Sequence, residues 1–214
     1  MEQDIEIINA NTRNEKIKNF FIKSKNKLIS ILILIILILF AYFYYEDYKL
    51  DQKDNLANRY NLAVTKYDSD QKENVETILK EIIQVKDKTY SPLALYFLMD
   101  KDLIQTKDEI NKYFDILIEE VNLDKEIKNL TIFKKALYNS DFVNENELLD
   151  ILNPVIKSQS VWKPHALYLM AEYYFSKNEK QKSKEFFEQI INLEKINSKI
   201  KNEAQKRLRA DFSE

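Results

Sequence analysis

The chain has 214 residues, 45% of them apolar and 32% charged, with no cysteine, no glycine and one histidine. Without glycine there is no P-loop, dinucleotide fingerprint or kinase glycine loop, each of which needs backbone at positive φ or pressed against phosphate; without cysteine and with a lone histidine there is no disulfide frame, thiol nucleophile or common zinc site. A net charge of −2, from 33 basic and 35 acidic residues, gives no overall attraction to nucleic acid, so no nucleic-acid partner, no cofactor, no metal and no small-molecule substrate are expected.

Residues 1–27 form a basic flank. Thr12 and Glu15 are spaced as a capping box, and Ile17, Phe20, Phe21 and Ser24 fall on one helical stripe among lysines. That pattern predicts either a short amphipathic helix on anionic lipid or a solvated flank that only sets topology.

Residues 28–45, LISILILIILILFAYFYY, carry no charge and are followed at once by Glu46 and Asp47. As a helix the run covers about 27 Å, close to the hydrocarbon thickness of a bilayer. It ends in Ala41, Tyr42, Phe43, Tyr44 and Tyr45 rather than the small residues of a signal-peptide cut, so it is expected to stay attached. Arg13, Lys16, Lys18, Lys23, Lys25 and Lys27 precede it, against Lys49, Lys53 and Arg59 after it. The positive-inside bias predicts a cytoplasmic N-terminus, with Tyr42, Tyr44, Tyr45 and Tyr48 at the far interface and residues 46–214 outside.

From residue 46 onward there is no β-like alternation, and apolar residues recur at spacings of three and four, which predicts an all-α domain. An internal repeat is visible. The set Leu167, Tyr168, Ala171, Ser183, Phe187, Ile190 and Ile191 recurs 35 residues earlier as Ile132, Phe133, Ala136, Leu148, Leu152, Val155 and Ile156. It recurs 38 residues before that as Ala94, Leu95, Leu98, Ile110, Phe114, Leu117 and Ile118, and another 35 before as Arg59, Tyr60, Ala63, Val75, Leu79, Ile82 and Ile83. Only Arg59 and Ser183 are not apolar.

The repeats predict four helical hairpins at about 52–86, 89–121, 125–157 and 162–194, split at 68–70, 105–108 and 177–179, with one longer connection near 122–126. Ser91 with Pro92, and Ser160 to Pro164, have the chemistry that opens a helix. Asn178 stands where a left-handed residue is wanted. Pro154 should kink the second helix of the third hairpin. Residues 198–209 read as a capping helix with Ile200, Ala204 and Leu208 inward.

The last unit, with Leu167, Met170, Ala171, Tyr174, Ser183 and Phe187, resembles the tetratricopeptide repeat, though Lys195 stands where proline is usual. The whole layout, a basic flank with KIKNFF at 16–21, one span and a degenerate repeat domain, is similar to the YfgM-like family of ancillary SecYEG translocon subunits. The resemblance implies an inner-membrane, single-pass, non-enzymatic scaffold whose periplasmic repeat domain forms a right-handed α-solenoid. Such a scaffold works beside the protein-export translocon and membrane-anchored periplasmic chaperones, and it has no catalytic residues to carry over. The rival reading is a repeat-type assembly factor of another envelope machinery, such as cell division or cytochrome maturation.

Placed by register from Ala171, the groove of such a solenoid would present Leu95 and Met99, Phe133 and Leu137, then Tyr168, Glu172 and Phe175. That is an apolar surface suited to a helix or unfolded segment of a partner, with packing between helices the alternative role for Tyr168 and Phe133. Glu119 with Glu120, Glu145 with Glu147, and the cluster Lys180, Lys182 and Lys184 read as solvated faces rather than catalytic groups. His165 reads as a helix-start residue and Trp162 as a staple onto the fourth hairpin.

A reporter fused after Glu214 should be active only when exported, and the mature N-terminus should lie before residue 28. A cytoplasmic reporter signal or a mature N-terminus near residue 46 contradicts the topology.

Overall fold

The computed structural model describes residues 2–67, 72–194 and 196–212, with side chains from residue 18 onward apart from 21, 72 and 73. Helix makes up 81% of the chain, and no strand occurs among the described residues. Helix α1 spans Glu2–Thr65. Neither proline nor glycine interrupts that stretch, so nothing in the sequence ends the helix earlier. The separate helix start expected at Thr12 does not occur, because α1 runs through that position; the side chains of Thr12, Glu15, Ile17 and Phe21 lie outside those described.

Residues up to Asn55 form one unit and those from Leu56 onward a second. In the first, every side chain from Ile29 to Asn55 is exposed, and from Ile22 onward α1 is long and apolar enough to cross a bilayer.

In the second unit the end of α1 is followed by α2 (Lys72–Gln84), α3 (Tyr90–Asp100), α4 (Lys107–Asp115), a π-helical turn (Ile116–Glu120), α5 (Lys125–Asn139), α6 (Glu145–Ile156), α7 (Lys163–Ser176), α8 (Lys180–Ile191) and α9 (Ser198–Phe212). From α2 on, each helix packs against the next, and α5 also touches α7, and α7 touches α9. The repeat register is the core register: 21 of the 28 repeated positions are buried, so the sequence periodicity reports side chains removed from water. Even Ser183 is fully buried, its hydroxyl donating to the carbonyl of Ala171 at 2.8 Å. Arg59 reaches Glu81.

Three details differ from the sequence reading. The linker 121–124 is no longer than 85–89 or 157–162. Instead, Ile132 is the eighth residue of α5, whereas Ala94 and Leu167 are the fifth of α3 and α7, so the three extra residues form an added turn at the start of α5. Ser91 does not cap α3: its hydroxyl donates to the carbonyl of Ile82 inside the core, and Asp87 accepts from the amides of Thr89 and Tyr90. Ser160 lies upstream of α7, accepting from the Trp162 amide and donating to Glu126 on α5. Pro154 falls within α6, which continues to Ile156. The break at 68–70 and Lys195 lie outside the described residues.

A chain without glycine must still end its helices. Lys86 (φ 60°), Asp102 (φ 50°) and Asn178 (φ 62°) adopt the left-handed conformation, which costs an L-residue roughly 1–2 kcal/mol. After α3 and α7 the motif is complete, with Leu103 N–H donating to Leu98 O and Glu179 N–H to Tyr174 O, each at 2.9 Å. The π-helical turn is closed by Val121 N–H donating to Ile116 O at 3.2 Å.

Charged side chains cross between helices. Lys80 on α2 lies 2.6 Å from both Glu76 and Glu109. Burial works against its charge, but the two carboxylates outweigh it and hold its pKa up at about 12. Hydrogen bonding to Lys80, and then to Tyr113, holds Glu109 below the usual carboxylate range. Lys182 on α8 and the hydroxyl of Tyr174 on α7 do the same to Glu145 on α6. Lys182 is thus exposed, as a solvated face requires, and also bridges α8 to α6.

Leu152→Asp or Ile190→Asp should unfold the second unit, because each puts an unpaired charge into a fully buried position, and Leu152→Ala should cost about 2–5 kcal/mol. Helical circular dichroism retained by either aspartate variant contradicts the core assignment. A depressed carboxylate stabilises the fold above its unfolded pKa, near 4.5, and that stabilisation is lost as pH falls through the folded value. The raised Lys80 acts in the opposite sense, its stabilisation complete below 10.5 and lost through about 12. Thermal midpoints should therefore fall as pH drops below about 4.5, and less steeply in Lys80→Met and Lys182→Met.

Candidate partner groove

Helices α5, α7 and α9 share a groove of about 600 Å³. Phe133 and Leu137 enter it from α5, one helical turn apart. His165, Tyr168, Leu169 and Glu172 enter from α7 at i, i+3, i+4 and i+7, the stripe that makes one face of a helix. Ile200 and Glu203 come from α9, beside Lys199 and Asn197 at its start. The extra turn at the start of α5 does not shift this face, since Phe133 and Ala136 keep their places relative to Ile132.

The walls are held from behind. Phe133 stacks on Trp162 with ring centres 5.9 Å apart and planes at 21°, and His165 lies 5.2 Å from Trp162. Trp162 therefore fastens the loop before α7 to α5. Tyr168 packs edge-on to the fully buried Phe187 at 5.3 Å. Leu137 is 51% exposed and has no such backing role. The His165 Nδ1 is buried without a hydrogen-bond partner, and its ring also lines a second cavity of about 330 Å³ that shares Asn197 and Ile200 with the first.

Glu172 is not a bare charge. Its two oxygens accept from Arg207 Nε at 2.8 Å and Nη2 at 3.0 Å, and Arg207 also binds Asp211. The guanidinium sits 4.6 Å over the ring of Phe175, and Phe212 meets that ring at 5.9 Å. Burial disfavours the Arg207 charge, yet Glu172 and Asp211 raise its pKa overall. The Tyr168 hydroxyl is pushed up by burial first and by Glu172 next; Arg207 offsets part of this and Glu203 adds to it.

Of the seven residues that register placed in a groove, the structure brings four together: Phe133, Leu137, Tyr168 and Glu172. Leu95 is fully buried in the core around α1 to α4 and has no surface to give. Met99 packs partly buried against that same core. Phe175 lies under Arg207 and Phe212, covered by α9. His165, Leu169, Ile200 and Glu203 were not singled out for the groove. The α7 stripe through His165 and Leu169 was present in the spacing, but the placement of α9 across it was not. Glu145 and Glu147 are structural: Glu147 completes a capping box with Asn144, and Glu120 pairs with Lys86. Among the described residues no group of three or more histidine or acidic side chains is arranged to hold a metal.

The chain is thus an all-helical protein with one N-terminal helix able to cross a membrane and a helical unit that carries an apolar groove. No family model, curated protein or solved structure matches it.

Removing the Glu172 charge should loosen α9. Glu172→Gln is expected to cost about 1 kcal/mol, or about 2–4 °C of thermal midpoint, with faster amide exchange in α9 and unchanged exchange in α6. Equal exchange in wild type and variant would show that the aromatic contacts alone hold the helix.

Proposed function

We propose that this protein is a membrane-anchored, non-enzymatic scaffold that docks a partner protein in the groove between α5, α7 and α9. The observation that carries the reading is that groove: about 600 Å³, walled by Phe133, Leu137, Tyr168, Leu169 and Ile200, on rigid helices rather than loops. Exposed apolar surface of this kind marks interaction sites, and helix faces in apolar grooves are a recurrent recognition mode. The anchor is the apolar part of α1, with the N-terminus cytoplasmic by its lysine bias and the helical unit on the outer, periplasmic side.

The tetratricopeptide-like solenoid belongs to this proposal. It is supported by the repeat register of the buried residues and by the contacts of α5 with α7 and of α7 with α9. The similarity in layout to YfgM-like subunits makes the SecYEG translocon and membrane-anchored periplasmic chaperones the partners to test first.

In mild detergent, Leu137→Ala in the full chain should reduce co-purification of translocon or chaperone about tenfold with little loss of thermal stability. Leu93→Ala, an exposed leucine on α3 outside the groove, should leave it unchanged. Unchanged yield with Leu137→Ala contradicts the docking site. A membrane span already concentrates partners in the same bilayer, so replacing 28–45 by an unrelated apolar helix separates the contributions: binding kept points to the helical unit, binding lost to the anchor.

A further inference from the structure

The groove's charge says what kind of segment fits it. Glu172 and Asp211 both bind Arg207, so that trio keeps one negative charge. Glu203 lines the groove, is exposed, and makes no ion pair among the described residues. Among the described residues Lys199 is the one cation in the lining, and it likewise makes no ion pair there. It stands four residues before Glu203, the weaker order for a helical lysine and glutamate pair. Glu172, Asp211 and Glu203 against Arg207 and Lys199 leave one net negative charge beside the apolar walls, and Glu203 is the carboxylate of the three that no cation engages among the described residues.

Resting on the reading of this groove as a docking surface, we infer that its occupant is an amphipathic helical segment of a partner protein carrying a lysine or arginine beside its apolar anchors, seated against Glu203. Apolar anchors fill the space between Leu137, Leu169 and Ile200, and the cation meets the unpaired carboxylate at the rim. A segment with an acidic residue there is repelled, and a neutral one leaves Glu203 without a complement.

The test uses the full chain in zwitterionic nanodiscs, with empty nanodiscs as the blank. Two labelled peptides share the same leucine and phenylalanine anchors at i, i+3, i+4 and i+7; one carries flanking lysines and the other glutamates. By fluorescence anisotropy the lysine peptide should bind at least about fivefold more tightly, with the gap shrinking at about 0.5 M salt. Glu203→Lys should abolish or reverse the preference, and Leu137→Asp should weaken both peptides. Equal or tighter binding of the glutamate peptide, a preference untouched by Glu203→Lys, or no binding of either peptide overturns the inference. If these fail while Leu137→Ala still lowers the yield of a co-purified partner, the docking surface stands and only its charge preference falls. Peptide binding indifferent to Leu137→Asp overturns the groove itself.

Discussion

One packing constraint organises the helical unit: each successive first helix must bring its backbone close to its neighbours at one position. Ala63, Ala136 and Ala171 occupy that position in the repeats, and Ala204 on α9 continues the series. All four are buried. A methyl group there lets large side chains close over it, as Phe187 and Leu167 do around Ala171 and Ala204 in one apolar cluster. The second repeat has Leu98 instead, fully buried, and the core there runs through Leu95, Phe114 and Leu117. Once this row is fixed inward, the residues three places before it and one place after it are set to line either a neighbouring helix or the groove. Phe133 and Tyr168 do both, with one ring face on structural partners and the rest on the open side.

A second level of organisation is polar. Between the cluster around α1 to α4 and the cluster around α5 to α7, the joint carries paired polar groups: Tyr96 with Thr131 at 2.8 Å, reciprocal amide bonds between Asn111 and Asn139, and Lys135 with Asp115. Ile118, in the middle of the π-helical turn, is the apolar contact common to both clusters. Directional bonds of this sort tolerate little sliding, so they fix the register of α5 against α3 and α4 where burial alone would not. Such pairs join residues 20 to 35 apart in sequence, which hides them from any local pattern.

That contrast explains what was legible in the sequence. The helical class and the core register were readable because burial repeats with helical period, and Asn178 was readable because it is the nearest substitute for an absent glycine. The hairpin helix from about 52 was legible, but its continuity with the span in one α1 was not, since side chains change from apolar to charged at Glu46 although no helix breaker occurs there. Ser91 and Ser160 had cap chemistry but were claimed by tertiary partners, Ile82 and Glu126. Register brings four residues of α5 and α7 to one groove, while Leu95, Met99 and Phe175 lie elsewhere because burial depends on which helix lies on the other side. Phe175 is covered by Arg207 and Phe212 of α9, and no periodicity announces that.

The position of α9 has a thermodynamic consequence. It is at once a piece of the core, through Ala204 and Phe212, and a wall of the groove, through Ile200 and Glu203. Any equilibrium in which α9 lifts from α7 removes that wall, so only the docked fraction can hold a ligand, and apparent affinity is reduced by that fraction. Linkage requires the reverse as well: a ligand bound at a concentration 100 times its Kd adds about 2.7 kcal/mol to the docked state. The clamp of Arg207 on Glu172 and Asp211 therefore tunes recognition by holding a wall of the groove in place, and heat or salt would act on affinity through the same contacts.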